Sequence, residues 1–170
     1  MDFSEKLKQL RSQYLINDVN FDAELTKLEY IEMIRQVDPD YFLTLTFAYN
    51  VSREKAADAL KTCMWHVNKK VFGRGIKYKN NRLKVLPFIE TNMINGVHLH
   101  LLVKQPDNKQ DINLQKIFRK KWQAIVVHGF AAFKRDEWFK KIEDIDGIAK
   151  YITKQTYGNN KPLVVECLRY

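Results

Sequence analysis

The order of hydrophobic patterns predicts an α+β fold with a mostly antiparallel central sheet and flanking helices. From residue 41 the apolar periodicity switches between strand-like alternation and helix-like repeats in the order β-α-β-β-α-β-α. The 170 residues, 45% hydrophobic and 12% aromatic, suffice for one well-filled core and not comfortably for two. Six Gly and four Pro leave little chain for long flexible linkers. The predicted organisation is an N-terminal helical extension over 1–40 and a domain over 41–170, forming one compact body.

Each element has a local reason. Leu7, Leu10 and Tyr14 recur at helical spacing behind Ser4, and Phe21, Leu25, Leu28, Ile31 and Ile34 do so more regularly. Asp38-Pro39-Asp40 breaks the pattern, and threonines alternate with apolar residues over 41–47 as in a strand. Ser52 is placed to cap an amphipathic helix that runs to Gly73. Residues 83–90 and 97–103 read as two strands joined through Asn95-Gly96, a dipeptide suited to positive backbone angles. A helix over 111–125, strands over 130–133 and 137–142, and a helix over 145–156 complete the chain.

The charge is unevenly distributed. Residues 1–40 carry five Lys or Arg against nine Asp or Glu, a net of −4, which leaves 24 against 11, or +13, on the remainder. A surplus of that size points to a polyanionic partner, because neutralising phosphates releases counterions. No apolar run reaches the roughly 18 residues of a membrane span, and the acidic opening residues do not have the order of a signal peptide. Cys63 and Cys167 match neither a disulfide framework nor a Cys-x-x-Cys metal site. A cytoplasmic protein in a reducing compartment, with no membrane partner, is expected.

His98 and His100 stand two apart in a strand, so both imidazoles project from one face. A hairpin turning through 91–96 brings Glu90 opposite His98 on that same face. Two imidazoles and a carboxylate leave coordination positions open and suit Mn²⁺, Mg²⁺ or Zn²⁺ in a catalytic site. In the last helix Tyr151, Lys154 and Gln155 share a side, placing a phenol beside a cation. The same two-His and carboxylate set occurs in non-haem iron oxygenases, but the number of helices argues against their double-sheet barrel.

Taken together, residues 41–156 resemble the HUH endonuclease superfamily, which includes rolling-circle replication initiators. The motifs are His98-Leu99-His100, the Thr-rich stretch Phe42-Leu43-Thr44-Leu45-Thr46-Phe47, and Tyr151 to Lys154, in the family's order. The resemblance implies a ferredoxin-like or RRM-like arrangement and a nickase of single-stranded DNA that depends on Mn²⁺ or Mg²⁺. It implies that Tyr151 becomes bound to a 5′ phosphate, that Lys154 assists, and that His98, His100 and Glu90 hold the ion. Gln155 is the alternative third ligand, at the spacing found in single-strand transposases. Tyr157 lies six residues, about 240° of helix, from Tyr151 and points elsewhere, so one nucleophile is expected. A prokaryotic host or mobile element is implied, with any helicase supplied by the host, since the chain carries no phosphate loop of the Gly-Lys-Ser/Thr type.

DNA contacts are expected along Lys69, Lys70, Arg74, Lys77, Lys79, Arg82 and Lys84, seven cations with Phe72 and Tyr78 interleaved. Thr44, Thr46, Asn50 and Lys150 are further candidates, whereas Lys116, Arg119, Lys120 and Lys121 read as the wet face of a helix. His66, His128 and the tryptophans Trp65, Trp122 and Trp138 are read as structural. Two other functions fit the residues: a one-tyrosine single-strand transposase, and a non-catalytic nucleic-acid-binding module.

Overall fold

A computed structural model describes residues 4–6, 8–9, 19–79, 81–92, 96–125 and 138–154. The elements are α1 (Val19–Val37), β1 (Tyr41–Leu45), α2 (Arg53–Phe72), α3 (Gly75–Lys79), β2 (Val85–Asn92), β3 (Gly96–Val103), a 3₁₀ turn (Asp107–Lys109), α4 (Leu114–Gln123), β4 (Phe139–Lys141) and α5 (Ile145–Thr153). They fall into two units, one containing α1 and α5, the other running from Pro39 to Ile142. The chain leaves the helical unit after Asp38 and enters it again at Glu143. Cys167, His128, Gln155, Tyr157 and the expected strand over 130–133 lie outside the described residues. No described helix is long and apolar enough to cross a membrane.

The sheet has the order β2-β3-β1-β4, with every neighbouring pair antiparallel. Each helical crossover, β1-α2-β2 and β3-α4-β4, spans one intervening strand, which is the split βαβ pattern of ferredoxin-like and RRM-like folds. Alternation sorts the side chains between two faces. Leu43, Leu45, Val85, Ile89, Val97, Leu99, Leu101 and Val103 join Ala56, Leu60, Cys63, Val67, Leu114, Phe118 and Trp122 of α2 and α4 in one apolar core. The opposite face carries Phe42, Thr44, Phe88, Glu90, His98, His100 and Leu102.

The caps explain the helix limits. Ser52 accepts from the Lys55 N–H at 3.3 Å, and α2 stops at Gly73, whose φ of +54° is costly for residues with a Cβ. Asn113 accepts from the Lys116 N–H at 2.8 Å, so α4 starts at Leu114, three residues later than the expected 111. Pro39 disfavours a helical Asp38, which ends α1 at φ +49°. The pentapeptide helix α3, inside the expected basic loop, has too few residues for a periodic signal.

Strand limits shift for similar reasons. The Leu83 N–H is taken by the buried Asn68 side chain at 2.9 Å, so β2 begins at Val85 and runs on to Asn92. Glu90 is therefore inside the strand, not at its end. The Thr46 carbonyl accepts from Trp122 Nε1 at 3.2 Å, which stops β1 at Leu45. β4 pairs only with Tyr41, Phe42 and Leu43, so it is three residues long, shorter than the expected 137–142. Trp122 and Trp138 are buried, but Trp65 is 49% exposed: it shares α2's outer side with His66, away from the stripe formed by Leu60, Cys63, Met64 and Val67. The expectation that all three tryptophans pack in the core fails there.

In the helical unit Ile34, Ala149 and Ile152 are buried, and Arg35 donates to Asp146 Oδ1 from Nε at 3.0 Å and from Nη2 at 2.8 Å. The Arg35 hydrogen bond, helped by charge from Arg35 and Lys150, holds the Asp146 carboxyl below its ordinary range. A depressed carboxyl stabilises the folded state above the unfolded pKa, and that contribution is lost as pH falls through the folded value. In Arg35→Ala, NMR titration should place Asp146 back near an ordinary carboxylate, and an unchanged titration would assign the depression to other charges. Denaturant unfolding should show Trp122→Ala less stable by about 3–5 kcal/mol, with Trp65→Ala within about 0.5 kcal/mol of wild type; comparable losses would contradict the described packing.

Candidate active site

The central strand β3 is hydrogen-bonded on both edges, and its register sets the site. Glu90 pairs with His98, Phe88 pairs with His100, and His100 pairs on its other side with Thr44. The expected hairpin thus brings Glu90 opposite His98. The carboxylate leans diagonally to the next residue on that face, so that Glu90 Oε2 lies 2.7 Å from His100 Nε2. On the other side of the ring Thr44 Oγ1 lies 3.1 Å from His100 Nδ1. Phe42 stacks on the imidazole at 5.3 Å between centroids, inclined by 19°.

His100 is 4% exposed, and a buried imidazole needs partners for both nitrogens. With Glu90 ionised, Nε2–H donates to the carboxylate and Nδ1 accepts from the Thr44 hydroxyl, an assignment that follows from the hydrogen-bond network. His98 is half-buried on the same face. Thr44, expected as a DNA contact, has its hydroxyl engaged with the imidazole.

The donor set fits a divalent ion in chemistry, and one pair of it, Glu90 and His100, nearly fits in spacing. Two imidazole nitrogens and a carboxylate oxygen are suitable ligands, and adjacent ligands of an octahedral ion at about 2.1 Å stand about 3 Å apart. The 2.7 Å between Glu90 and His100 needs to open by only a few tenths of an ångström. The opposite tautomer, with Nδ1–H donating to Thr44, would free the Nε2 lone pair. Among the described residues no three His, Cys, Asp or Glu side chains are gathered as a metal-holding group, so the arrangement in hand is a hydrogen-bonded Glu90–His100 pair with His98 beside it in register.

The β1–α2 loop approaches the end of the hairpin. Gly96, which opens β3, has φ +72°, and a Cβ there would run into the Asn50 side chain. Asn50 therefore sits two residues along the strand from His98. Its neighbour Tyr49 is 75% exposed, an aromatic absent from the residues expected to act. Its one signal in the sequence is an aromatic residue between a strand and a capped helix.

In the helical unit Tyr151 is 44% exposed on α5, and Lys154 Nζ lies 4.1 Å from the centre of its ring. Lys150 is exposed, and Ala149, Ile152 and Thr153 form the buried side of α5. Asp144 caps this helix through the Gly147 N–H at 2.9 Å.

The basic stretch is not gathered with the imidazoles. Lys69, Lys70 and Arg74 are exposed around the end of α2, and Lys77 and Lys79 flank the exposed Tyr78 on α3, with Lys77 Nζ 5.7 Å from the Tyr78 ring centre. Arg82 is half-buried and donates from Nη1 to the carbonyls of Ile76 at 3.0 Å and Asn81 at 2.9 Å, so it is largely a strut. Lys84 is exposed just before β2, six residues from Glu90, or about 20 Å along an extended chain.

The family model for the replication-associated protein ORF2 matches residues 40–156. Neither the curated proteins nor the solved structures compared with this chain give a match. The matched range takes in all four strands, both crossover helices, the Glu90, His98 and His100 face, and Tyr151 with Lys154. On that match, over well more than half its length, the chain belongs to the replication-associated protein ORF2 family.

Proposed function

We propose that the protein nicks and rejoins single-stranded DNA to initiate rolling-circle replication, with Tyr151 as its one nucleophile. The observation that carries this reading is the row Glu90–His100–Thr44, a buried imidazole oriented at both nitrogens on the same sheet face as His98. Membership of a replication-associated family supports DNA as the partner and favours initiation over transposition. The strand acted on is an origin or hairpin segment, and unwinding falls to a host helicase.

The Tyr151 hydroxyl gives up its proton as its oxygen bonds to the phosphorus of the 5′ phosphate, the bond from that phosphorus to the 3′ oxygen breaks, and the 3′ oxygen takes up a proton to leave as a hydroxyl, so one proton is lost and one gained. Attack by the freed 3′ hydroxyl reverses the step and rejoins the strand. A divalent ion, Mn²⁺ or Mg²⁺, supplies polarisation of the scissile phosphate when bound. His98, His100 and Glu90 would hold it, Glu90 being preferred over Gln155 because it already touches His100. Thr44 fixes the imidazole as partners of metal-bound histidines do. Lys154 keeps positive charge over the Tyr151 ring, where it favours the phenolate that forms as the hydroxyl loses its proton. Lys150, exposed on the same helix, is assigned to the DNA backbone.

With Mn²⁺ and an origin-derived single strand, the protein should form an SDS-resistant protein–DNA adduct that Tyr151→Phe does not form; an equally strong adduct from that variant would move the nucleophile elsewhere. Calorimetry should show Mn²⁺ binding largely gone in His98→Ala with His100→Ala. Thr44→Val should bind Mn²⁺ about 10- to 100-fold more weakly. Wild-type affinity in the double variant would place the ion at another site, and wild-type affinity in Thr44→Val would leave that hydroxyl no orienting role.

A further inference from the structure

The helix that carries Tyr151 is too weak to stand alone. α5 has nine residues, below the length at which an isolated helix holds in water, and Gly147 in its first turn lowers the helical propensity further. That glycine is required, because a Cβ there would run into the Asp144 carboxylate that caps the helix. Within the helical unit α5 packs along α1, with Ala149, Ile152 and Thr153 of α5 and Ile34 of α1 buried. The N-terminal extension is therefore the bed on which α5 rests.

Apolar contact alone leaves the roll of a short helix loose, since it has no preferred direction. Thr153, polar on the buried side, spends its hydroxyl on the Ala149 carbonyl of its own helix at 2.8 Å. A directional contact comes from Arg35 in the last turn of α1, whose Nε and Nη2 donate at 3.0 and 2.8 Å to the Oδ1 of Asp146 in the first turn of α5. Each charge sits at the helix end that its dipole favours. Asp146 and Tyr151 are five residues apart, so they stand about 140° from each other around the axis. The ion pair holds one edge of the buried side of α5, and Tyr151 emerges on the side turned away from it.

We infer that Arg35 is a positioning residue for the nucleophile: through Asp146 it fixes the roll of α5 and with it the direction in which the Tyr151 hydroxyl points. The inference rests on the reading of Tyr151 as the nucleophile, and it gives the N-terminal extension a task in the same reaction. The Arg35 and Asp146 side chains are 38% and 51% exposed, and exposed ion pairs add little to stability. The effect of this one is orientational. An attacking group misplaced by about 1 Å can cost about 100-fold in rate, so a contact that counts for little in folding counts for much in the reaction.

Two measurements on the full chain test it. In protein labelled with fluorotyrosine, the ¹⁹F line that disappears in Tyr151→Phe reports the ring without DNA or metal. It should be a single sharp line in the wild type, broaden or split in Arg35→Ala and in Asp146→Ala, and recover in part in Arg35→Lys, which keeps the charge but not the guanidinium fork. In adduct formation at saturating single strand and Mn²⁺, Arg35→Ala should be slower by about 10- to 100-fold, with Arg35→Lys between it and the wild type. The half-saturating strand concentration, the Mn²⁺ affinity and the denaturant midpoint should stay close to wild type. An unchanged line or an unchanged rate in Arg35→Ala would overturn the assignment. So would a loss explained by weaker strand binding, which would make Arg35 a DNA contact, or by a lower denaturant midpoint, which would make it a residue of folding alone. Because the ¹⁹F line needs no cleavage, an adduct that persists in Tyr151→Phe would sink the nucleophile reading by itself, while the line still tells whether Arg35 orients the ring.

Discussion

Strand β3 is paired along both edges, and the positions of Glu90, His100 and Thr44 follow from that double constraint. Each ladder fixes the other. A slip of one residue on either side would turn His98 and His100 into the core and Leu99 and Leu101 onto the polar face. The apolar packing of Leu99 and Leu101 against α2 and α4 therefore holds the imidazoles where they are, although it never touches their chemistry.

The polar face is only partly polar. Phe42, Phe88 and Leu102 surround His100, so its two hydrogen bonds form away from water, where they are stronger and costlier to lose. Removing either partner leaves a buried nitrogen unsatisfied, at about 1–3 kcal/mol. Glu90 and Thr44 are thus part of what holds the imidazole in place. The same low-dielectric setting is one in which fixed dipoles and charges stabilise a developing charge most effectively.

The paired lysines Lys84 and Lys104 and the Glu90 and His98 pair occupy different ends of the sheet. The end of β2 and start of β3 carry Glu90 and His98 with the Asn50 loop beside them, and the start of β2 and end of β3 carry Lys84 and Lys104. A replication-associated family points to DNA as the partner, and most protein contacts to DNA go to the sugar-phosphate backbone over an extended stretch. The net of +13 outside the first 40 residues is consistent with that extended contact.

Much of this was legible in the chain. Alternation over 41–45 and 97–103, the Ser52 cap and the Gly73 stop determine β1, β3 and α2, because those signals act between residues near in sequence. The His98-x-His100 spacing places both rings on one face, and the hairpin places Glu90 opposite His98, for the same local reason. What tertiary structure alone decided depends on contacts between distant segments. Thr44 became a partner of His100, Trp122 and Asn68 trimmed β1 and β2, Trp65 was left outside, and Lys104 was brought beside Lys84. None of these has a periodicity to reveal it, since each is settled by which hydrogen-bonding group or apolar surface is nearest once the strands have paired.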